Sequence, residues 1–224
     1  ITERIPKSLI PVAGRPFIHR QIEALCRQGI RQVVLCTGYL GEQIEASVGD
    51  GSAFGLHVVY SPDGHKLLGT AGTLRQALPL LGPEFFVLYG DSFLPIAFAP
   101  VLAAYRDSGR LGLMTVLDNH DRWDKSNAHY TSGLVTEYNK QDPRPEMRHI
   151  DYGLGILSAR ALDDIAEGET VDLAAVYHRL SLAGQLAGFE VGERFYEIGS
   201  QHGLQETEHY FLSKENLCPT QHST

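Results

Sequence analysis

Apolar positions along the chain fall into short dense runs, separated by stretches in which they recur at helical spacing. Residues 32–37, 85–89 and 111–117 are near-continuous apolar runs of strand length. Runs of this kind belong to strands covered on both faces. Residues 56–60 alternate, and 134–138, 149–157, 186–190 and 194–198 also read as strands. Between them, 17–28 places Ile18, Ile22 and Leu25 on one face and Arg20, Glu23 and Arg27 off it, with Gly29 able to end the helix. Leu40, Ile44 and Val48 have helical spacing. A short helix over 73–80 is entered through glycine, and another over 100–106 has Pro100 in its first turn. Asp172 caps a helix that turns Leu173, Val176, Tyr177 and Leu180 inward. Ser200 caps a last helix that runs to about residue 211.

Alternating strands and helices predict an α/β fold, Rossmann-like, with a mainly parallel sheet and helices on both faces. Ligands in such folds bind outside the carboxyl ends of the strands. One domain is expected over 1–213, with a tail over 214–224. Segment 118–148 interrupts the pattern. It is polar, holds His120, Asp121, Asp124, Asn127 and His129, and contains one short strand. It reads as an excursion over the sheet that covers a site.

Composition narrows the function classes. The chain has 224 residues, 43% hydrophobic and 21% charged, which excludes disorder for most of its length. Its 19 Lys+Arg against 27 Asp+Glu give a net charge of −8. That balance argues against a protein that grips nucleic acid, which needs a basic face, but leaves room for a local basic pocket. No stretch is apolar enough for a membrane span, and no membrane partner is expected. Cys26, Cys36 and Cys218 are odd in number, far apart and form no CxxC. They read as reduced thiols of a cytoplasmic protein.

Several residues carry candidate chemistry. A buried strand delivers Asp91, after Gly90, to the carboxyl edge of the sheet, where a carboxylate suits a hard cation such as Mg²⁺. The bland alternative is a turn cap. Gly69-Thr70-Ala71-Gly72 opens a helix, so its backbone N–H groups could hold a phosphate or face a flat base. The alternative is a tight turn. Lys7, held between Pro6 and Pro11, and Lys140 are loop lysines that supply point charges for phosphate if they reach that edge. Glu197 ends a short strand and could join Asp91 in clamping cations. The acidic and histidine residues of the excursion match no strong ligand spacing. There is no Walker loop, GxSxG, HExxH or GxGxxG.

Taken in order, these strings resemble one family. Thr2-x-x-x-Pro6-Lys7, Pro11 through Pro16, Leu68-Gly69-Thr70-Ala71-Gly72, Gly90-Asp91, Lys140, Gly153-Leu154-Gly155 and Tyr196-Glu197-Ile198-Gly199 resemble the sugar-1-phosphate nucleotidyltransferases from Ile1 to about Phe211. The likeness is greatest to compact enzymes of the mannose- or heptose-1-phosphate guanylyltransferase and muramyl-type uridylyltransferase kinds. It implies a glycosyltransferase-A-like fold and the reaction of an NTP with a hexose or heptose 1-phosphate to give an NDP-sugar and pyrophosphate. GTP is the favoured donor, with UTP or another nucleotide as alternatives. The resemblance further implies Mg²⁺ held by Asp91 and Glu197, nucleotide contacts from Lys7, Gly69, Thr70, Ala71, Gly72 and Gly90, and a sugar-phosphate pocket formed by Lys140, Asp151, Tyr152 and Gly153. Lys7, Asp91 and Lys140 would be the catalytic residues. Glu197 stands where the family usually has an aspartate. The family also opens with a strand and a glycine-rich loop, G-G-x-G-T-R-L, which would lie just ahead of Ile1. Residues preceding Ile1 are therefore expected. A catalytically weak relative that binds nucleotide or sugar phosphate as a regulator is the alternative. A glycosyltransferase would need a D-x-D, which Gly90-Asp91-Ser92 lacks.

Overall fold

The computed structural model describes residues 4–64 and 66–217; Ile1, Thr2 and Cys218 lie outside the described residues. Pro11–Val12 (β1) and Arg15–Pro16 (β2) form a tight antiparallel hairpin that leads directly into Phe17–Arg27 (α1). Gln32–Thr37 (β3), Gly41–Val48 (α2) and His57–Pro62 (β4) make a βαβ unit whose strands pair in parallel from Gln32↔His57 to Thr37↔Pro62. Ile18, Ile22, Val48, Leu56 and Val58 pack its interior. Gly69–Ala77 (α3), Glu84–Leu88 (β5), Ser92–Phe93 (β6) and Phe98–Ser108 (α4) follow. Next come Gly112–Asp118 (β7), Ala128–Thr131 (β8), Leu134–Tyr138 (β9) and His149–Ser158 (β10). Leu173–Leu182 (α5), Leu186–Val191 (β11), Tyr196–Glu197 (β12) and Gln201–Leu217 (α6) complete the described chain.

The larger sheet has the order β5-β10-β7-β11-β9-β8. All residues of β7 except Asp118 are buried, as a continuous apolar run requires. Its side chains alternate between two cores. Met114 and Val116 face Leu173, Val176, Tyr177 and Leu180 of α5, whereas Leu113 and Leu117 face Val101 and Tyr105 of α4. Helices thus cover both faces, as expected of the α/β class. The pairing is more mixed than expected. β3–β4 and β7–β11 are parallel, but β10 is antiparallel to both β5 and β7. The chain between β7 and β10 contains no helix, so it has no crossover to bring β10 back in the parallel sense.

Segment 118–148 also departs from expectation. It contains two strands, β8 and β9, which form a hairpin and lengthen the sheet beside β11. Tertiary pairing gives strand structure to Ala128–Thr131, which the polar local sequence concealed. Helix α3 starts at Gly69, not at 73, because Ala71 and Gly72 donate to the carbonyl of Val171, which caps the helix from outside. β12 is shorter than predicted. α6 continues to Leu217, beyond the predicted end near 211 and into the expected tail. No helix among the described residues is long and apolar enough to cross a membrane.

Candidate active site

The carboxyl edge of β5 gives way to a turn over 89–92, closed by the Ser92 N–H donating to the Tyr89 carbonyl at 3.3 Å. Half-buried Asp91 lies within this turn. The antiparallel ladder β6–β12 pairs Ser92 with Glu197, and the Ile198 N–H donates to the Asp91 carbonyl at 3.0 Å. Two carboxylates separated by more than a hundred residues are thereby brought together. Lys7 joins them. From the point where a Cβ on Gly199 would sit, Glu197 Oε2 is 2.9 Å away, Asp91 Oδ2 3.6 Å and Lys7 Nζ 4.0 Å.

Glu197 is held in place. It accepts from the N–H groups of Gly199 and Ser200, the latter at 3.0 Å, and from the Ser200 hydroxyl at 2.6 Å. Ser200 Oγ in turn accepts from the Gly203 N–H at 2.9 Å, the capping role expected of it. A Cβ on Gly203 would overlap Glu197 Oε1 and approach the Glu197 carbonyl to 2.8 Å. Gly203 therefore leaves the room that the carboxylate occupies.

The second group of expected residues adjoins the first. The Asn127 carbonyl accepts from the Asn139 N–H at 2.8 Å, and Asn127 Oδ1 accepts from the Asp151 N–H at 2.9 Å. Asn127 thus links the loop carrying Lys140 to Asp151. β10 carries a bulge between Asp151 and Gly155. Thr115 Oγ1, fully buried, donates at 2.6 Å to the buried Leu154 carbonyl within this bulge. Bulges commonly re-aim side chains near functional sites. Here the bulge brings Gly153 next to the Asp91 turn, with Ser92 Oγ 3.8 Å from its would-be Cβ.

Asp151 is electrostatically unusual. Burial raises its carboxyl to about 6, opposed by the Gly153 N–H, which donates to Oδ1 at 2.9 Å, and by the charge of Lys140. The phenols of Tyr89, Tyr138 and Tyr177 are pushed upward, first by burial and then by the Asp151 charge.

Two expectations require correction. Tyr152 does not face the site. Its ring is 1% exposed, packs edge-on against Phe195, and its hydroxyl donates to the Arg194 carbonyl at 3.5 Å. Ala71 and Gly72 do not offer free N–H groups, since both donate to Val171 O at 2.9 and 3.2 Å. A Cβ on Gly69 would lie 2.6 Å from that same carbonyl, and one on Gly72 would overlap the Glu169 carbonyl. Thr70 Oγ1 accepts from the Leu173 N–H at 2.7 Å and donates to Asp172 Oδ1 at 3.3 Å. The glycines thus let the heads of α3 and α5 interlock. Gly90, by contrast, has no atom within 4 Å of its would-be Cβ.

Gln21, Thr115, Asn127 and Gly203 touch the turns and strands that carry these residues, and sequence reasoning assigned none of them an individual role. Gln21 was detectable in principle, because it lies on the apolar face of α1 between Ile18 and Leu25. No local signal marks Thr115 or Gly203. Among the described residues no group of three or more His, Cys, Asp or Glu is placed to hold a metal. Asp91 and Glu197 form a pair. Mg²⁺ is usually held by one or two carboxylates plus substrate phosphates and water, so this oxygen donor set fits Mg²⁺.

Comparison with known proteins agrees with this architecture. Residues 1–127 match the nucleotidyl transferase family. The chain is 30% identical over 213 residues to N-acetylmuramate alpha-1-phosphate uridylyltransferase of Neisseria meningitidis serogroup B, covering 93% of this chain and 90% of that protein. It is 25% identical to the mannose-1-phosphate guanylyltransferase catalytic subunit beta of Xenopus tropicalis, covering 89% of this chain but 57% of that one. Two solved structures share its fold. HddC from Yersinia pseudotuberculosis complexed with GMP-PN aligns with a TM-score of 0.78 at 20% identity, covering 92% of this chain and 90% of that chain. The inositol-1-phosphate CTP transferase from T. maritima aligns with a TM-score of 0.72 at 18% identity, covering 96% and 89%. With its fold and motif order in agreement, the chain belongs to the nucleotidyl transferase family, among the sugar-1-phosphate nucleotidyltransferases.

Proposed function

We propose that this enzyme transfers a uridylyl group from UTP to a hexose 1-phosphate of the N-acetylmuramate type, releasing pyrophosphate, with Mg²⁺ as its cofactor. The observation that carries the reading is the convergence of Lys7 Nζ, Asp91 Oδ2 and Glu197 Oε2 on one point beside Gly199. The preference for UTP over the GTP favoured at first rests on the relative matched over 90% of its own length.

The chemistry needs no covalent nucleophile from the protein. A phosphate oxygen of the sugar 1-phosphate forms a bond to the α-phosphorus while the bond to the β-phosphate bridging oxygen breaks, and pyrophosphate leaves. Catalysis is then alignment and charge neutralisation. Holding both reactants can by itself remove roughly 7–11 kcal/mol of barrier. Asp91 and Glu197 would hold Mg²⁺, which when bound supplies positive charge to the phosphates of the nucleotide. Lys7 places a cation against those phosphates. Lys140 places a second one beside Asp151, where the sugar phosphate would lie. Asp151 offers an acceptor for a sugar hydroxyl. The open face at Gly90 gives the nucleotide access to the backbone.

The test is pyrophosphate release across UTP, GTP, CTP and dTTP with N-acetylmuramate 1-phosphate, mannose 1-phosphate and glucose 1-phosphate. UTP with N-acetylmuramate 1-phosphate and Mg²⁺ is expected to be the fastest pair. Asp91→Ala should lower kcat at least about a hundredfold. Release that is fastest with GTP overturns the base assignment, and near-normal turnover of Asp91→Ala removes Asp91 from the site.

A further inference from the structure

We infer that Gln21 is a positioning residue for Asp91, acting from α1 through the backbone of the turn that carries it. Gln21 is 6% exposed. Its side-chain amide donates one N–H to the Tyr89 carbonyl at 3.0 Å and the other to the Ser92 carbonyl at 2.7 Å. These two carbonyls bracket Gly90-Asp91. Both donors of one buried amide are therefore committed to the two ends of the turn, and the Ile198 N–H fixes the Asp91 carbonyl from the β12 side.

Packing alone would not set this separation. A small cavity lies between α1 and the segment after β5, lined by Gln21, Gln28, Leu88, Ser92 and Phe93 among others. Interiors close-packed on all sides transmit position through contact. Beside a void there are fewer such contacts, and the two directional bonds of Gln21 carry more of the register. Gln28, the exposed residue that follows α1, makes a similar two-bond clamp. Its amide donates to the Ile96 carbonyl at 2.9 Å and its Oε1 accepts from the Phe98 N–H at 3.1 Å. The two glutamines thus fasten successive parts of one segment to α1 and to its C-terminal cap, and only the first of them brackets an active-site carboxylate. Gln28 is the natural control.

This inference rests on the assignment of Asp91 as a metal-holding residue. Groups that orient metal ligands from behind typically change affinity or activity 10–100-fold when lost. The experiment compares Gln21→Met, Gln28→Met and Asp91→Asn in the whole protein. It measures Mn²⁺ bound in the presence of UTP by electron paramagnetic resonance, together with kcat, KM for UTP and melting temperature. Gln21→Met is expected to weaken Mn²⁺ binding and lower kcat by at least about tenfold, with KM for UTP changing less than threefold. Gln28→Met is expected to lower the melting temperature while leaving Mn²⁺ binding and kcat within about twofold of the parent.

Equal effects of the two methionine variants on Mn²⁺ binding and kcat, or parental values for Gln21→Met, overturn the inference. Should Gln21→Met not fold, Gln21→Asn is read by the same criteria, since it keeps the donors but retracts them by one methylene. If Asp91→Asn binds Mn²⁺ as the parent does, the metal assignment itself fails. Gln21 is then judged on kcat alone against the Gln28 control.

Discussion

Replacing Gly203 by alanine should improve a helix and impair an enzyme. Gly203 lies in the first turn of α6, and alanine is better than glycine inside a helix by about 0.8–1.0 kcal/mol. The added methyl, however, would overlap Glu197 Oε1 and come 2.8 Å from the Glu197 carbonyl. The side chain can swing away, but the backbone contact requires the start of α6 and β12 to separate slightly. Once displaced, Glu197 loses the donors of Gly199, the Ser200 N–H and the Ser200 hydroxyl. Losing an N-terminal cap of this kind costs about 0.5–2 kcal/mol, with water replacing part of it at a half-exposed site. The two effects nearly cancel. Even at the unfavourable end, a net loss of about 1 kcal/mol lowers the melting temperature of a chain this size by only about 2–4 °C. Activity should fall much further, by about 10–100-fold in kcat/KM, because the carboxylate leaves the point it shares with Asp91 and Lys7. Melting curves and steady-state pyrophosphate release on the same preparation check both halves. Parental kcat/KM in a folded Gly203→Ala protein would refute the claim that the fixed position of Glu197 matters.

Asp151→Asn should stabilise the protein at neutral pH. The folded-state carboxyl, raised to about 6, takes up a proton that the unfolded chain gives up near its ordinary value of 3.8. Stability therefore falls as pH rises between those values and stays low above them. The asparagine variant should melt above the parent at pH 8 and converge with it below about pH 4, and a pH-independent difference would refute the assignment. Thr115→Val removes the donor to the Leu154 carbonyl in the β10 bulge. It should cost about 1–3 kcal/mol in urea unfolding, whereas a change under about 0.5 kcal/mol would show that the bulge holds without it.

What the sequence revealed follows from how local each signal is. The run over 32–37 needed only its own apolarity to be read as β3, and Asp172 needed only its neighbours to be read as the cap of α5. Motif order disclosed the family because Lys7, Asp91 and Glu197 each sit in recognisable strings, with Lys140 falling between them in the expected order. The pairing of β10 was hidden, because strand direction depends on whether a crossover helix exists in 119–148. Tyr152 was misplaced because the resemblance carried over its whole segment, whereas simple alternation sets Tyr152 in the core with Ile150, Leu154 and Ile156. Gln21 and Gly203 act on partners roughly seventy and six residues away. Only the folded chain shows the first partnership, and only atomic geometry shows the second.

The interlocked heads of α3 and α5 bear on how this enzyme could acquire a new substrate. One of the family-like strings in the sequence, Leu68 to Gly72, functions as a weld. Val171 N–H donates to Leu68 O at 2.9 Å, and Val171 O receives two donors in return. Side chains at Gly69 or Gly72 would strain that joint, since an added Cβ would meet Val171 O or Glu169 O. Variation there is therefore tolerated first at side chains that border the joint without belonging to it. A library that randomised the motif itself should lose stability first at Gly69 and Gly72, where an added Cβ meets the backbone of Val171 and Glu169.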